Sequence, residues 1–162
     1  MPRAPKPSNP RVSAPWLTEA GTLDLSSFPI DSALRQALSP DDKQFHSGCA
    51  LLTSMCAAGR TEAGLFLIGL LHQYPDDYER LTVVAEALRA FESKATVEAL
   101  AAELRRVPGS SATRRYLRRI LQTFECLRHL ASETIEELSN DPQVGPRFRQ
   151  RLRTWDGQSF RE

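Results

Sequence analysis

From Ile30 onward the apolar positions recur at three- and four-residue steps, and no short stretch alternates apolar with polar side chains as a half-buried strand does. The pattern predicts helices at about 31–38, 41–58, 61–74, 77–92, 94–107, 110–130, 132–140 and 146–155, and therefore an all-α fold. Polar punctuation supports these boundaries. Ser39-Pro40-Asp41-Asp42 and Tyr74-Pro75-Asp76-Asp77 each place a proline and two acids where the free N–H groups and positive end of a helix accept a carboxylate. Gly59 is placed to stop the second helix, and Ser93 and Ser110 to cap the fifth and sixth. The run Ala63–Leu71 is apolar nearly all round and predicts a helix with neighbours on both sides. In contrast, Ser110–Arg128 is two-faced: Tyr116, Leu117, Ile120, Leu121, Phe124 and Leu127 share one arc, opposite Arg114, Arg115, Arg118 and Arg119.

These helices repeat in pairs. Leu67, Leu71, Pro75, Leu88 and Phe91 recur 33 positions later as Leu100, Leu104, Pro108, Leu121 and Phe124. Looser echoes flank them, at Leu34, Leu38, Pro40, Leu51 and Met55 and at Ile135, Leu138, Pro142, Phe148, Leu152 and Trp155. Degenerate outer units are what the ends of a repeat stack require. The expected architecture is a right-handed α-solenoid of three to four stacked antiparallel helix pairs, in one domain over 16–155 with units at about 28–58, 61–91, 94–124 and 128–155.

The run Pro75–Phe91, followed by Ser93-Lys94-Ala95-Thr96-Val97-Glu98-Ala99-Leu100, resembles the short HEAT-like repeats of bacterial proteins, the PBS-lyase type, and Pro108–Phe124 with Arg114-Arg115 resembles them again. The tetratricopeptide repeat is a rival. Gly59-Arg60-Thr61-Glu62-Ala63 with Leu67, Leu70 and Pro75 is similar to its second half, but its first-helix pattern is missing at Leu81, Val84, Ala85 and Leu88 and the spacing is one short. Either resemblance covers residues 60–124 and implies a helical scaffold that binds proteins.

Composition narrows the setting. Met1–Pro15 carries Pro2, Pro5, Pro7, Pro10 and Pro15 with Arg3, Lys6 and Arg11 and no acid, which predicts a disordered basic arm; its PxxP spacings suit a polyproline groove only by a match common in such tails. Residues 156–162 are read as a tail. Three cysteines, Cys49, Cys56 and Cys126, sit in apolar patterns, and their odd number closes no disulfide framework. The start lacks an apolar segment of signal-peptide type, and the longest apolar run is about half of the roughly 20 residues that cross a bilayer. A cytoplasmic location without membrane insertion is the expectation.

The search for chemistry is mostly negative. There is no glycine-rich phosphate loop, HExxH, CxxC or Gly-x-Ser-x-Gly. His46/Cys49 and Cys126/His129 have metal-capable groups at i, i+3, but their places in the first and last parts of the stack argue against a shared zinc. The paired acids Asp41/Asp42 and Asp76/Asp77 are explained as caps. No enzyme activity, cofactor or metal is therefore expected.

Charge adds the one positive signal. Although the net charge is only +1, residues 14–93 carry an excess of acids and residues 94–162 an excess of bases, nearly all of them arginine. Arg105, Arg106, Arg114, Arg115, Arg118 and Arg119 gather around one repeat, and Arg147, Arg149, Arg151 and Arg153 follow in the last helix. The planar guanidinium suits carboxylate and phosphate. The first six are read as the partner-binding face of a non-catalytic adaptor or scaffold whose partner is a protein with an acidic patch. The alternatives are a solvated face paired with acids such as Glu98 and Glu103, a nucleic-acid-binding helical repeat, a tetratricopeptide-like secretion chaperone, and a self-assembling component in which the oppositely charged halves stack as a homo-oligomer.

Overall fold

The computed structural model describes Thr22 and residues 24–154; the expected arm over 1–15, the tail over 156–162 and the last position of the final helix lie outside the described residues. The helices are α1 (Ile30–Ala37), α2 (Asp42–Ala57), α3 (Thr61–Gln73), α4 (Tyr78–Ala87, continued by one 3-10 turn, Leu88–Ala90), α5 (Lys94–Arg106), α6 (Arg114–Cys126), α7 (Arg128–Asn140) and α8 (Pro146–Arg153). The described residues include no strand, so the fold is all-α.

Most boundaries form as the local chemistry dictates. Asp41 accepts a hydrogen bond from the Gln44 N–H at 2.9 Å, Asp77 from Arg80 N–H at 3.1 Å, and Ser93 Oγ from Ala95 N–H at 3.1 Å. Gly59, at φ 89°, ends α2 by letting Arg60 N–H reach Met55 O (3.0 Å) and its own N–H reach Cys56 O (2.9 Å).

Two boundaries depart from the sequence expectation. The sixth helix starts at Arg114 rather than Ser110, because Ser110 and Thr113 bond to each other: Ser110 N–H donates to Thr113 Oγ1 (2.9 Å), Thr113 N–H to Ser110 Oγ (3.2 Å) and Thr113 Oγ1–H to Pro108 O (2.6 Å). These side chains hold a turn in place of a helical one. The helix also ends at Cys126, and Leu127 joins it directly to α7, four residues before the predicted start at 132. No glycine or proline marks this joint; Leu127 is fully buried, and its side chain's place in the core sets the change of direction.

Most of the apolar positions spaced 33 apart are core residues, although Phe91 is only half-buried where Phe124 is fully buried. Leu67 and Leu71 of α3 and Leu100 and Leu104 of α5 are buried, as are Leu88, Leu121 and Phe124. Alternate helices are neighbours, α2 against α4 against α6 and α3 against α5 against α7, while α1 lies on α2 and α8 on α7. One continuous core runs from Ala33 to Leu152. At its first end α1 and α2 approach so closely that a Cβ on Gly48 would stand 2.2 Å from Ala37 N.

Arg80 ties α4 to the loop between α1 and α2. Its guanidinium donates to Ser39 O (3.0 Å), Pro40 O (2.8 Å) and Asp42 Oδ1 (2.9 Å) and lies 4.7 Å from the centroid of the Phe45 ring. Tyr74, whose ring meets that of Phe45 edge to face, donates to Ala37 O at 2.9 Å.

The apolar α3 is only partly explained by neighbours. It meets α2, α4 and α5, yet Leu65 and Phe66 remain 54% and 37% exposed and a Cβ on Gly69 would meet nothing within 4 Å. The all-round apolar character therefore reflects a helix buried on one side that also presents apolar residues outward, not a helix covered on both.

Candidate functional site

The arginine-rich helix α6 buries Tyr116, Leu117, Ile120, Leu121 and Phe124, as its two-faced pattern requires. Its outward side carries two i, i+4 stripes about 100° apart, and they meet different surroundings. Arg115 and Arg119 lean towards α4. Arg115 Nη1 stands 2.8 Å from Glu79 Oε2, and Arg119 pairs with Glu86. The Arg115–Glu79 pair, 71% and 78% exposed, contributes little in water.

Arg114 and Arg118 face the other way, into a cleft of about 600 Å³ closed on its far side by Arg147 and Arg151 of α8. Gly109, Ser110 and Ser111 of the turn before α6, and Gly145 and Pro146 at the start of α8, complete the rim, and Phe148 lies between the two glycines, 3.8 and 3.7 Å from where their Cβ atoms would be. Among the described residues no acid lines this cleft. Among the described residues none of the four arginines forms an ion pair.

The other predicted arginines are engaged inside the molecule. Arg105 Nε donates to Asp141 Oδ2 at 2.6 Å, joining α5 to the α7–α8 loop; that hydrogen bond, helped by Gln143 N–H, holds the Asp141 carboxyl below the usual carboxylate range. Arg106 grips Glu103 through two bonds of 2.9 and 2.6 Å, and Tyr116 donates to the same carboxylate at 2.8 Å. The Glu103 side chain is 5% exposed. Burial first, and the Glu103 charge second, push the Tyr116 phenol far above its ordinary range.

The six arginines singled out by sequence thus separate into two that hold the fold together, two paired with α4, and two that remain available. Arg147 and Arg151, which join the available pair, were noted in sequence as part of a basic helix but not as part of the same site. Their signal was present as a second i, i+4 pair behind a glycine-containing turn; what brings it beside the first is the packing of α8.

A second, shallower groove of about 680 Å³ runs across α2, α4 and α6 and is lined by His46, Cys49, Val83, Glu86, Arg89 and Cys126 among others. Cys126 and the His46/Cys49 pair line the same groove, with α4 between α2 and α6. His129 is elsewhere, 3.6 Å from Glu92. Among the described residues no three His, Cys, Asp or Glu side chains gather as a metal site. Burial pushes the Cys49 thiol up to about 12 and the Cys56 thiol up to about 11, so neither supplies a thiolate nucleophile near neutral pH. No described helix is long and apolar enough to cross a membrane. Comparison with protein-family models, with curated proteins and with solved structures found no match to this chain.

Proposed function

We propose that this chain is a non-catalytic adaptor, built as a short right-handed solenoid of HEAT-like or tetratricopeptide-like helix pairs, that holds a partner protein by an acidic group placed in the α6–α8 cleft. The succession α2–α4–α6 beside α3–α5–α7 supports the solenoid reading, since each row repeats neighbour upon neighbour. The observation that carries the binding role is the cleft of four arginines with no acid among its described lining residues. Several other arginines pair with a carboxylate, at Arg60–Glu62, Arg80–Asp42, Arg89–Glu86, Arg105–Asp141 and Arg106–Glu103. Four guanidinium groups held together without such a match repel one another, and a bound anion relieves that repulsion.

The partner-binding set is accordingly Arg114 and Arg118 together with Arg147 and Arg151, while Arg115 and Arg119 contribute surface potential. Affinity capture from native extract tests this with two charge-reversed forms. Arg118→Glu/Arg147→Glu is expected to lose the partner that the wild type retains, and Arg115→Glu/Arg119→Glu to keep it at reduced yield. Equal capture by wild type and the cleft variant would remove the cleft from the binding role.

A further inference from the structure

We infer that the group this cleft receives is a phosphoryl ester on a partner protein's side chain, a phosphoserine or phosphothreonine, rather than a carboxylate. The inference rests on the reading of the cleft as the adaptor's binding site, and adds the chemistry of what enters it.

Charge is the first argument. Arg114, Arg118, Arg147 and Arg151, all exposed, bring four positive charges to one cleft, with no carboxylate among its described lining residues. A glutamate offers one negative charge and two oxygens. A phosphoryl group offers about −1.5 to −2 and three strongly accepting oxygens, so it serves several planar guanidinium forks at once. A strip of carboxylates would be matched by arginines spread along a surface; here they line one cleft from two helices.

The helix ends are the second argument, and they are independent of the count of arginines. The turn that leads into α6 and the first residues of α8 both line the cleft. At α1, α2, α3 and α4 the first turn carries an acid, which complements the positive end of the helix dipole. At α5, α6, α7 and α8 the first turn has no acid and instead carries Lys94, Arg114, Arg128 and Arg147. A base at such a position is locally unfavourable, and two of these four starts, those of α6 and α8, open on the same space. Two positive helix ends and four guanidinium groups together form a field suited to a multiply charged, many-acceptor anion.

Size selects the source. About 600 Å³ is within the range of small-ligand pockets and receives one modified side chain with its neighbours. It is a depression, not the extended basic track with stacked aromatics that single-stranded nucleic acid follows.

The test uses the full chain and three fluorescein-labelled peptide pools with identical degenerate flanks around one fixed residue, which is phosphoserine, glutamate or serine. Fluorescence polarisation is expected to show the phosphoserine pool binding about tenfold or more tighter than the glutamate pool, reflecting the added charge and acceptor oxygens. Arg118→Gln/Arg147→Gln should abolish that preference and Arg115→Gln should retain it, with circular dichroism melts confirming that each variant folds. The single variant Arg151→Gln, at an exposed position, should weaken the phosphoserine pool more than the glutamate pool and serves if the double variant does not fold. Equal affinity for phosphoserine and glutamate overturns the phosphate assignment and leaves the acidic-partner adaptor standing. Absence of binding by every pool overturns the assignment too, and the capture experiment then decides the adaptor reading on its own. Tighter binding of a random single-stranded RNA than of the phosphoserine pool overturns both.

Discussion

At the scale of single residues, the buried Glu103 shows how an arginine can be present for the fold and not for a partner. Its carboxylate accepts from Arg106 and from the fully buried Tyr116, so burial of the charge is compensated on both sides. Tyr116→Phe removes one hydrogen bond and should cost about 1 kcal/mol. Glu103→Ala strands the Tyr116 hydroxyl in the core and should cost roughly 2–4 kcal/mol. Because the two changes share a bond, the double variant is expected to lose less than the sum, which urea unfolding of all four proteins will show. Arg105 and Arg106 looked the same as Arg114 and Arg118 along the chain. Their difference arises from Asp141 and Glu103, one of them 36 residues away and the other a single helical turn away.

At the scale of elements, the period-3.6 pattern, the aspartate and serine caps and Gly59 made six of the eight helices readable, all but the sixth and the start of the seventh, because each signal acts within a few residues of the boundary it sets. The sixth helix was legible in its faces and not in its ends. Its start is governed by a reciprocal Ser110–Thr113 turn and its end by the burial of Leu127, and neither has a strong local signature. Glycines separate packing from propensity in the same way. Gly48→Ala forces a Cβ against Ala37 N and should cost about 1–3 kcal/mol despite the better helix former. Gly69→Ala, on an open face of α3, should instead raise stability by roughly 0.5–1 kcal/mol. Thermal melts that moved both variants in the same direction would contradict the close α1–α2 crossing.

At the scale of the whole molecule, the cleft between α6 and α8 concentrates positive charge, whereas Arg80, Arg105 and Arg106 each pair with a carboxylate. A binding site made this way costs stability. Arg118→Gln/Arg147→Gln is therefore expected to melt higher than wild type at low ionic strength, by a few tenths to about 1 kcal/mol, since it removes like-charge repulsion and an arginine from a helix start. The gain should vanish near 1 M salt, where the screening length falls to about 3 Å. Arg105→Gln and Arg106→Gln should be destabilising at both salt concentrations, because each removes a specific partner from a carboxylate. A cleft variant less stable than wild type at low salt would mean that the four arginines support the fold.

The sequence by itself determined the helical class, the periodic core positions shared by the 33-residue units, and the polar and apolar faces of α6, because these depend on spacing and on side chains a few residues apart. Only the tertiary structure decided which arginines are available. Ion pairs such as Arg105–Asp141 and Arg115–Glu79 form between distant segments, and Arg147 and Arg151 reach Arg114 and Arg118 only because α8 lies on α7 beside the start of α6. Charge along a chain can be counted residue by residue, but its compensation is a property of distances in space, and those are set by packing.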